Sequence, residues 1–240
     1  MALPSIILLL TFAVGVFIGH SQLLETFSIP WLNAVWVSAS VTAAATWLHW
    51  KRFRVPISVA VGSAAVSASA VVYLMDSLPA ARNWVDVLTW LLGVGIFMLA
   101  MHWDSTDPLR RTYRSDVAFW LHLLAAPLLV HPVFISLGVY GGNDSAGLLQ
   151  TSAVVVLYFL IAFVSLTIDR RALMVSALAY VLYAFNALLK NYGVVDLGFA
   201  IAALGIGFTL LLLSAFWHEM RAQIVKRFPA RLQAALPSIR

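Results

Sequence analysis

The sequence predicts an all-α integral membrane protein, built as a bundle of about eight transmembrane helices. The first observation behind this prediction is composition: 62% of the 240 residues are hydrophobic and only 10% are charged. A soluble domain carries roughly 25% charged residues, so a soluble fold of this chain would lack the polar surface needed to cover its core. The second observation is a series of long apolar segments, and the third is the placement of basic residues between them.

Each apolar segment is long enough to cross roughly 30 Å of hydrocarbon at about 1.5 Å per residue. Proline residues interrupt the sequence between several segments, as at Pro30, Pro56 and Pro79. The first segment has no basic residue before it and no small-x-small cleavage pattern after it, so we expect it to be retained as a span. The predicted spans are residues 3–20, 29–50, 55–75, 84–101, 117–140, 147–168, 172–189 and 195–217.

The basic residues alternate between the two sides of the predicted membrane. Of the 15 Lys and Arg residues, all but Arg82 and Lys190 follow an even-numbered span. Cytoplasmic loops are enriched in Lys and Arg, so this pattern predicts an outside N-terminus and a cytoplasmic C-terminus in a plasma membrane, such as a bacterial inner membrane. The residues on the basic side are Lys51, Arg52, Arg54, Arg110, Arg111, Arg114, Arg170, Arg171, Arg221, Lys226, Arg227, Arg231 and Arg240.

The predicted domain organisation is a single polytopic transmembrane domain over residues 1–218, followed by a tail over residues 219–240. Basic and apolar residues alternate in the tail, which is typical of an amphipathic segment lying on an anionic leaflet. The expected partner is the lipid bilayer, with anionic headgroups at the cytoplasmic face. Topology explains the positive charge, so no nucleic-acid partner is expected.

The most polar stretch of the chain runs from His102 to Pro132 and reads HWDSTDPLRRTYRSDVAFWLHLLAAPLLVHP. It concentrates His, Asp and Arg at the end of the fourth span, in the following loop and in the fifth span. These residue types supply acid–base groups and anion-binding groups. The candidate functional residues of this cluster are His102, Asp104, Asp107, Arg110, Arg111, Arg114, Asp116 and His122.

Local structure offers an alternative explanation for part of this cluster. Asp107 before Pro108 has the pattern of a helix N-cap and first helical residue, which predicts a short interfacial helix over 107–114. Ser115 is then predicted to cap span five, with Asp116 in its first turn. The three arginines can pair with these aspartates or with lipid phosphates. The functional alternative is an anion-binding patch for a phosphate-bearing substrate.

The fifth span carries His122 and His131, two ionisable residues inside an apolar segment. Such residues are functional candidates by default in a membrane. Pro127 and Pro132 each remove a backbone donor, so a kinked span could redirect His131 and expose backbone carbonyls to a polar cavity. Hydrogen bonding of two neutral histidines to neighbouring helices is the structural alternative.

Span seven carries a polar stripe in which Asn186 and Tyr183 are the candidate intramembrane residues. Interhelical hydrogen bonding is one use of such a stripe, and lining a solute path is the other. A metal site made of His and carboxylate groups is also geometrically allowed at the cytoplasmic side. However, the chain has no Cys and no HxxxH or HExxH spacing, so the sequence identifies no metal and no cofactor.

Three classes of function fit these features. The first is transport or binding of a small solute or an ion through a polar path near span five. The second is a structural or assembly role, in which the polar residues serve topology and packing. The third is a lipid-modifying enzyme that uses the His/Asp/Arg cluster at the cytoplasmic face. The chain lacks a dense catalytic set, so the sequence favours transport or binding over catalysis.

Overall fold

The structure is a computed structural model in which residues 3–136, 148–170, 204–205, 207–208, 212, 215–229, 233 and 236 are described. All regular secondary structure among these residues is helical. The helices are α1 (Leu3–Thr26), α2 (Trp31–Phe53), α3 (Ile57–Ser77), α4 (Val85–Ser105), α5 (Tyr113–Ser136), α6 (Leu148–Ile168) and α7 (Trp217–Val225), with a 3₁₀ helix over Pro79–Trp84 before α4.

Four helical segments are long and apolar enough to cross a membrane: α1, α3, α5 and the segment Pro79–Ser105 that contains α4. The prediction of a helical, membrane-compatible protein is thus confirmed for the described residues. Predicted spans one to six each coincide with one of α1 to α6. The seventh span, with Tyr183 and Asn186, and most of the eighth lie outside the described residues, so the count of eight stays a prediction.

α2 is as long as its neighbours but more polar. The hydroxyl groups of two threonines donate hydrogen bonds to carbonyls of the preceding turn. The Oγ1 of Thr42 donates to the carbonyl of Ser38 at 2.8 Å, and that of Thr46 donates to the carbonyl of Thr42 at 2.9 Å. These bonds satisfy buried hydroxyl groups within the helix. The helix ends at Phe53 because Arg54 adopts the left-handed conformation, with φ of 54°, and Pro56 cannot continue a helix.

The chain forms two compact units, Met1–Leu128 and Leu129–Arg240. In the first unit α3 packs along α2, and small residues allow the close approach. A Cβ atom at Gly62 would lie only 3.0 Å from the Oγ1 of Thr46. The hydroxyls of Ser40 and Ser69 join the same two helices at 2.7 Å. Small residues of α3 therefore allow the close packing of α3 against α2 on this face.

In the second unit α7 packs on α6. Trp217 is buried against Ala162 and Leu166 of α6. Arg221 is buried too, so the start of the predicted surface tail is held against a helix. The predicted boundary at residue 218 and the single domain over residues 1–218 stay predictions.

Candidate functional site

The segment between α4 and α5 is a loop organised by Asp107, and the predicted helix over 107–114 is not formed. The Asp107 carboxylate accepts hydrogen bonds from the backbone N–H of Arg111 at 3.2 Å, and from both the backbone N–H and the Oγ1 of Thr112 at 2.8 Å. Arg110 has φ of 52°, which interrupts helical geometry at this point. The prediction was wrong because the Asp107 side chain caps N–H groups four and five residues away instead of starting a helix.

The cap of α5 also differs from the prediction. The helix begins at Tyr113, so Ser115 lies inside its first turn. Thr112 occupies the position before the helix, and its Oγ1 accepts the backbone N–H of Arg114 at 3.3 Å. Asp116 does lie in the first turn of α5, as predicted.

Asp107 is held in its ionised form by this loop. Burial by itself raises the pKa of the Asp107 carboxyl, but the hydrogen bonds from Thr112 and Arg111 and the charge of Arg114 outweigh that effect. The net result is a pKa below the ordinary carboxyl value. Asp107 therefore serves as a fixed acceptor for the loop.

The structure brings together two of the predicted candidates, Asp104 and His122. The Nε2 of His122 lies 3.1 Å from the Oδ2 of Asp104, and the two side chains are 0% and 2% exposed. When the carboxylate is ionised it can only accept, and the imidazole Nε2–H then donates in this bond. This is a fully buried ionisable pair inside helices that are apolar enough to cross a membrane.

Helix geometry explains why these two residues meet. Side chains tilt toward the N-terminus of their own helix. Asp104, in the last turn of α4, therefore leans back into that helix, whereas His122 leans toward the loop. His122 lies nine residues into α5, or about 14 Å from its start. The Phe97 ring meets the imidazole edge-on, with centroids 5.3 Å apart, and Leu121 beside it is fully buried.

The other candidates differ in exposure: His102, Arg111, Arg114 and Asp116 are exposed, and Arg110 is half-buried.

His131 is exposed on α5, which is helical through both prolines. Within the part of the chain that is described, no group of three His, Cys, Asp or Glu side chains comes close enough to hold a metal ion. The metal site that the sequence allowed is therefore not formed by these residues.

A second buried polar cluster was missed by sequence reasoning. The indole Nε1 of Trp217 donates to the Oδ1 of Asp169 at 2.7 Å, and the Nε of Arg221 lies 3.9 Å from the same oxygen. Burial lowers the pKa of the Arg221 guanidinium and the Asp169 carboxylate partly restores it. The sequence analysis placed Trp217 at the end of predicted span eight and Arg221 in the tail, so only the α6–α7 contact reveals this cluster.

Comparison with known proteins gives no relative: no family model, no curated protein and no solved structure matches this chain.

Proposed function

We propose that this chain is a multi-pass membrane protein that binds or transports a small solute or an ion along a polar path beside α5. The observation that carries the proposal is the buried pair of Asp104 and His122. Burying a charged group in a low-dielectric medium is costly, so ionisable pairs inside membrane helices mark ion paths and proton relays. The pair is the protonatable element of the proposed path.

The chemistry of the pair is proton binding. With a neutral imidazole and an ionised carboxylate, the pair carries one negative charge. When His122 takes up a proton, the pair becomes an ion pair with no net charge. A change of charge at a buried site is costly unless a second charge moves with it. We therefore include in the proposal that proton uptake by His122 is coupled to the release of a small cation.

The proposed topology has eight spans, an outside N-terminus and a cytoplasmic C-terminus, with the plasma membrane of a bacterium as the location. Contacts in the first unit support it. The Trp50 ring meets the rings of Trp103 and Tyr113 at centroid distances of 6.2 and 5.8 Å. The basic loops after α2 and α4 therefore share one end of this unit, where anionic lipid headgroups would meet them.

A structural role is the second candidate, and the complete burial of the pair favours it. In that case the Asp104–His122 hydrogen bond only ties α5 to α4. A lipid-modifying enzyme has less support, because His102, Arg111, Arg114 and Asp116 of the predicted cluster are exposed and lie apart from the buried pair.

Proton flux into proteoliposomes separates these candidates. We expect Asp104→Asn and His122→Gln to abolish cation-driven proton movement, read by a pH-sensitive dye trapped in the vesicles, while folded yield is retained. The matched controls are Asp116→Asn and His102→Gln, the same residue types at exposed positions, and they should transport like the wild type. If the wild-type protein moves no protons under any cation gradient, or if the pair variants transport normally, the transport proposal fails.

A further inference from the structure

An open apolar groove runs along the first unit, between α3 and α4 and beside the end of α2. It encloses about 670 Å³. Small residues such as Ser63, Ala70 and Gly95 line it, and the lining residues Val66 and Leu91 are more than half exposed. Because α3 and α4 are apolar enough to span a membrane, the mouth of the groove would face lipid.

The groove is long and open along one side. From Ser58 to Leu74 it follows α3 for 16 residues, or about 24 Å at 1.5 Å per residue. One extended hydrocarbon chain can follow a groove of this shape.

One end of the groove is aromatic and cationic. Trp47, Trp50 and Trp103 line it there. The Nζ of Lys51 lies 3.8 Å from the centroid of the Trp47 ring, and the Arg54 guanidinium lies 5.6 Å from that of Trp50. The opposite end, near Leu74 and Leu88, is apolar. An occupant with one charged end would therefore place a negative group beside the two cations.

We propose that this groove is a binding site for an anionic phospholipid, with one hydrocarbon chain between α3 and α4 and the phosphate at Lys51 and Arg54. The inference rests on the proposed membrane location and on the basic end of the unit facing anionic lipid. It does not use the Asp104–His122 pair. Lipid retention and proton flux are thus separate measurements, and either can fail alone.

The structure provides a groove-filling variant with a matched control. A Cβ atom at Gly95 would meet nothing within 4 Å, and the same is true at Gly19 on α1, which is not part of the groove. The Cβ atom of Gly95→Leu therefore has free space, and its side chain adds volume to the lining of the groove, whereas Gly19→Leu adds the same side chain elsewhere.

The charge variant also has a control. Lys51→Gln combined with Arg54→Gln removes both cations at the groove end. Arg52→Gln removes one from the same loop, where the guanidinium lies over Phe53, outside the groove. Each cation near an anionic lipid contributes a factor of about five in affinity.

The test is native mass spectrometry of the full chain in detergent, after exchange with phosphatidylglycerol or phosphatidylcholine. We expect the wild type to retain one phosphatidylglycerol in preference to phosphatidylcholine. Gly95→Leu should lose both lipids, and Gly19→Leu should retain them. The Lys51/Arg54 double variant should lose the preference, by up to about 25-fold, while Arg52→Gln keeps it. Equal retention by Gly95→Leu and Gly19→Leu would overturn the proposal, as would an unchanged preference in the double variant or a dimer whose stability depends on Gly95.

Discussion

Removing either partner of the Asp104–His122 pair should destabilise the fold, and the two losses should differ in size. His122→Leu leaves a buried carboxylate without its imidazole donor, whereas Asp104→Leu leaves an imidazole that can stay neutral. Breaking a buried charged pair costs about 3–5 kcal/mol in soluble proteins. Hydrogen bonds between membrane helices average about 0.6 kcal/mol and reach about 1.7, because the unfolded chain in a membrane also finds partners.

These magnitudes set the expected result. We expect Asp104→Leu to lower the free energy of unfolding by about 1 kcal/mol and His122→Leu by about 2–3 kcal/mol. The double variant should be more stable than the sum of the single losses predicts, with a coupling of at least about 1 kcal/mol, because neither member of the pair is then left without the other.

Unfolding by SDS in mixed micelles, followed by tryptophan fluorescence, measures these free energies. The control is the same cycle at His102 and Asp116, which are exposed and should show no coupling. If the loss in the double variant equals the sum of the two single losses to within about 0.5 kcal/mol, the Asp104–His122 contact contributes no coupling energy, and the prediction is refuted.

Two further predictions use the same unfolding assay. Because the pKa of Asp107 is lowered in the folded state, its carboxylate stabilises that state fully above the ordinary carboxyl pKa and loses this effect as the pH falls below about 4. The difference in unfolding free energy between the wild type and Asp107→Asn should therefore be full at pH 6–7 and shrink in acid. A difference that stays constant with pH would contradict the role of Asp107 in the loop. In Gly62→Leu, overpacking against Thr46 should cost about 1–3 kcal/mol, which outweighs the roughly 1 kcal/mol of stability gained when glycine is replaced inside a helix. Gly19→Leu should be neutral or stabilising. Equal effects of the two substitutions would contradict the close α2–α3 packing.

The sequence was sufficient to locate the helices but not their contacts. Apolar runs and the prolines between them predicted the ends of α1 to α6 with differences of at most six residues, because length and composition decide whether a segment can cross a membrane. The loop after α4 was predicted wrongly. The Asp107-Pro108 pattern predicted a helix N-cap, but the Asp107 carboxylate accepts hydrogen bonds from the backbone N–H groups of Arg111 and Thr112.

The candidate site was predicted in composition but not in arrangement. The eight candidate residues lie close together in the sequence, at the end of span four, in the loop and in span five, and closeness in sequence cannot say which side chains face one another. The structure pairs Asp104 with His122 and leaves His102 and Asp116 exposed. Trp217 and Arg221 show the same limitation, because their burial depends on contact with α6, to which no local pattern points.

The two proposed sites of the first unit share α4 and use different faces of it. A helix turns by about 100° per residue, so the adjacent residues Trp103 and Asp104 point in different directions. Trp103 lines the open groove, whereas Asp104 is buried against His122. The chemistry of each face follows from its surroundings: small and apolar residues suffice where lipid completes the packing, but a carboxylate is tolerated only where protein encloses it and supplies a donor. The enclosed face is therefore the one suited to handle charge, and the open face the one suited to bind a hydrocarbon chain.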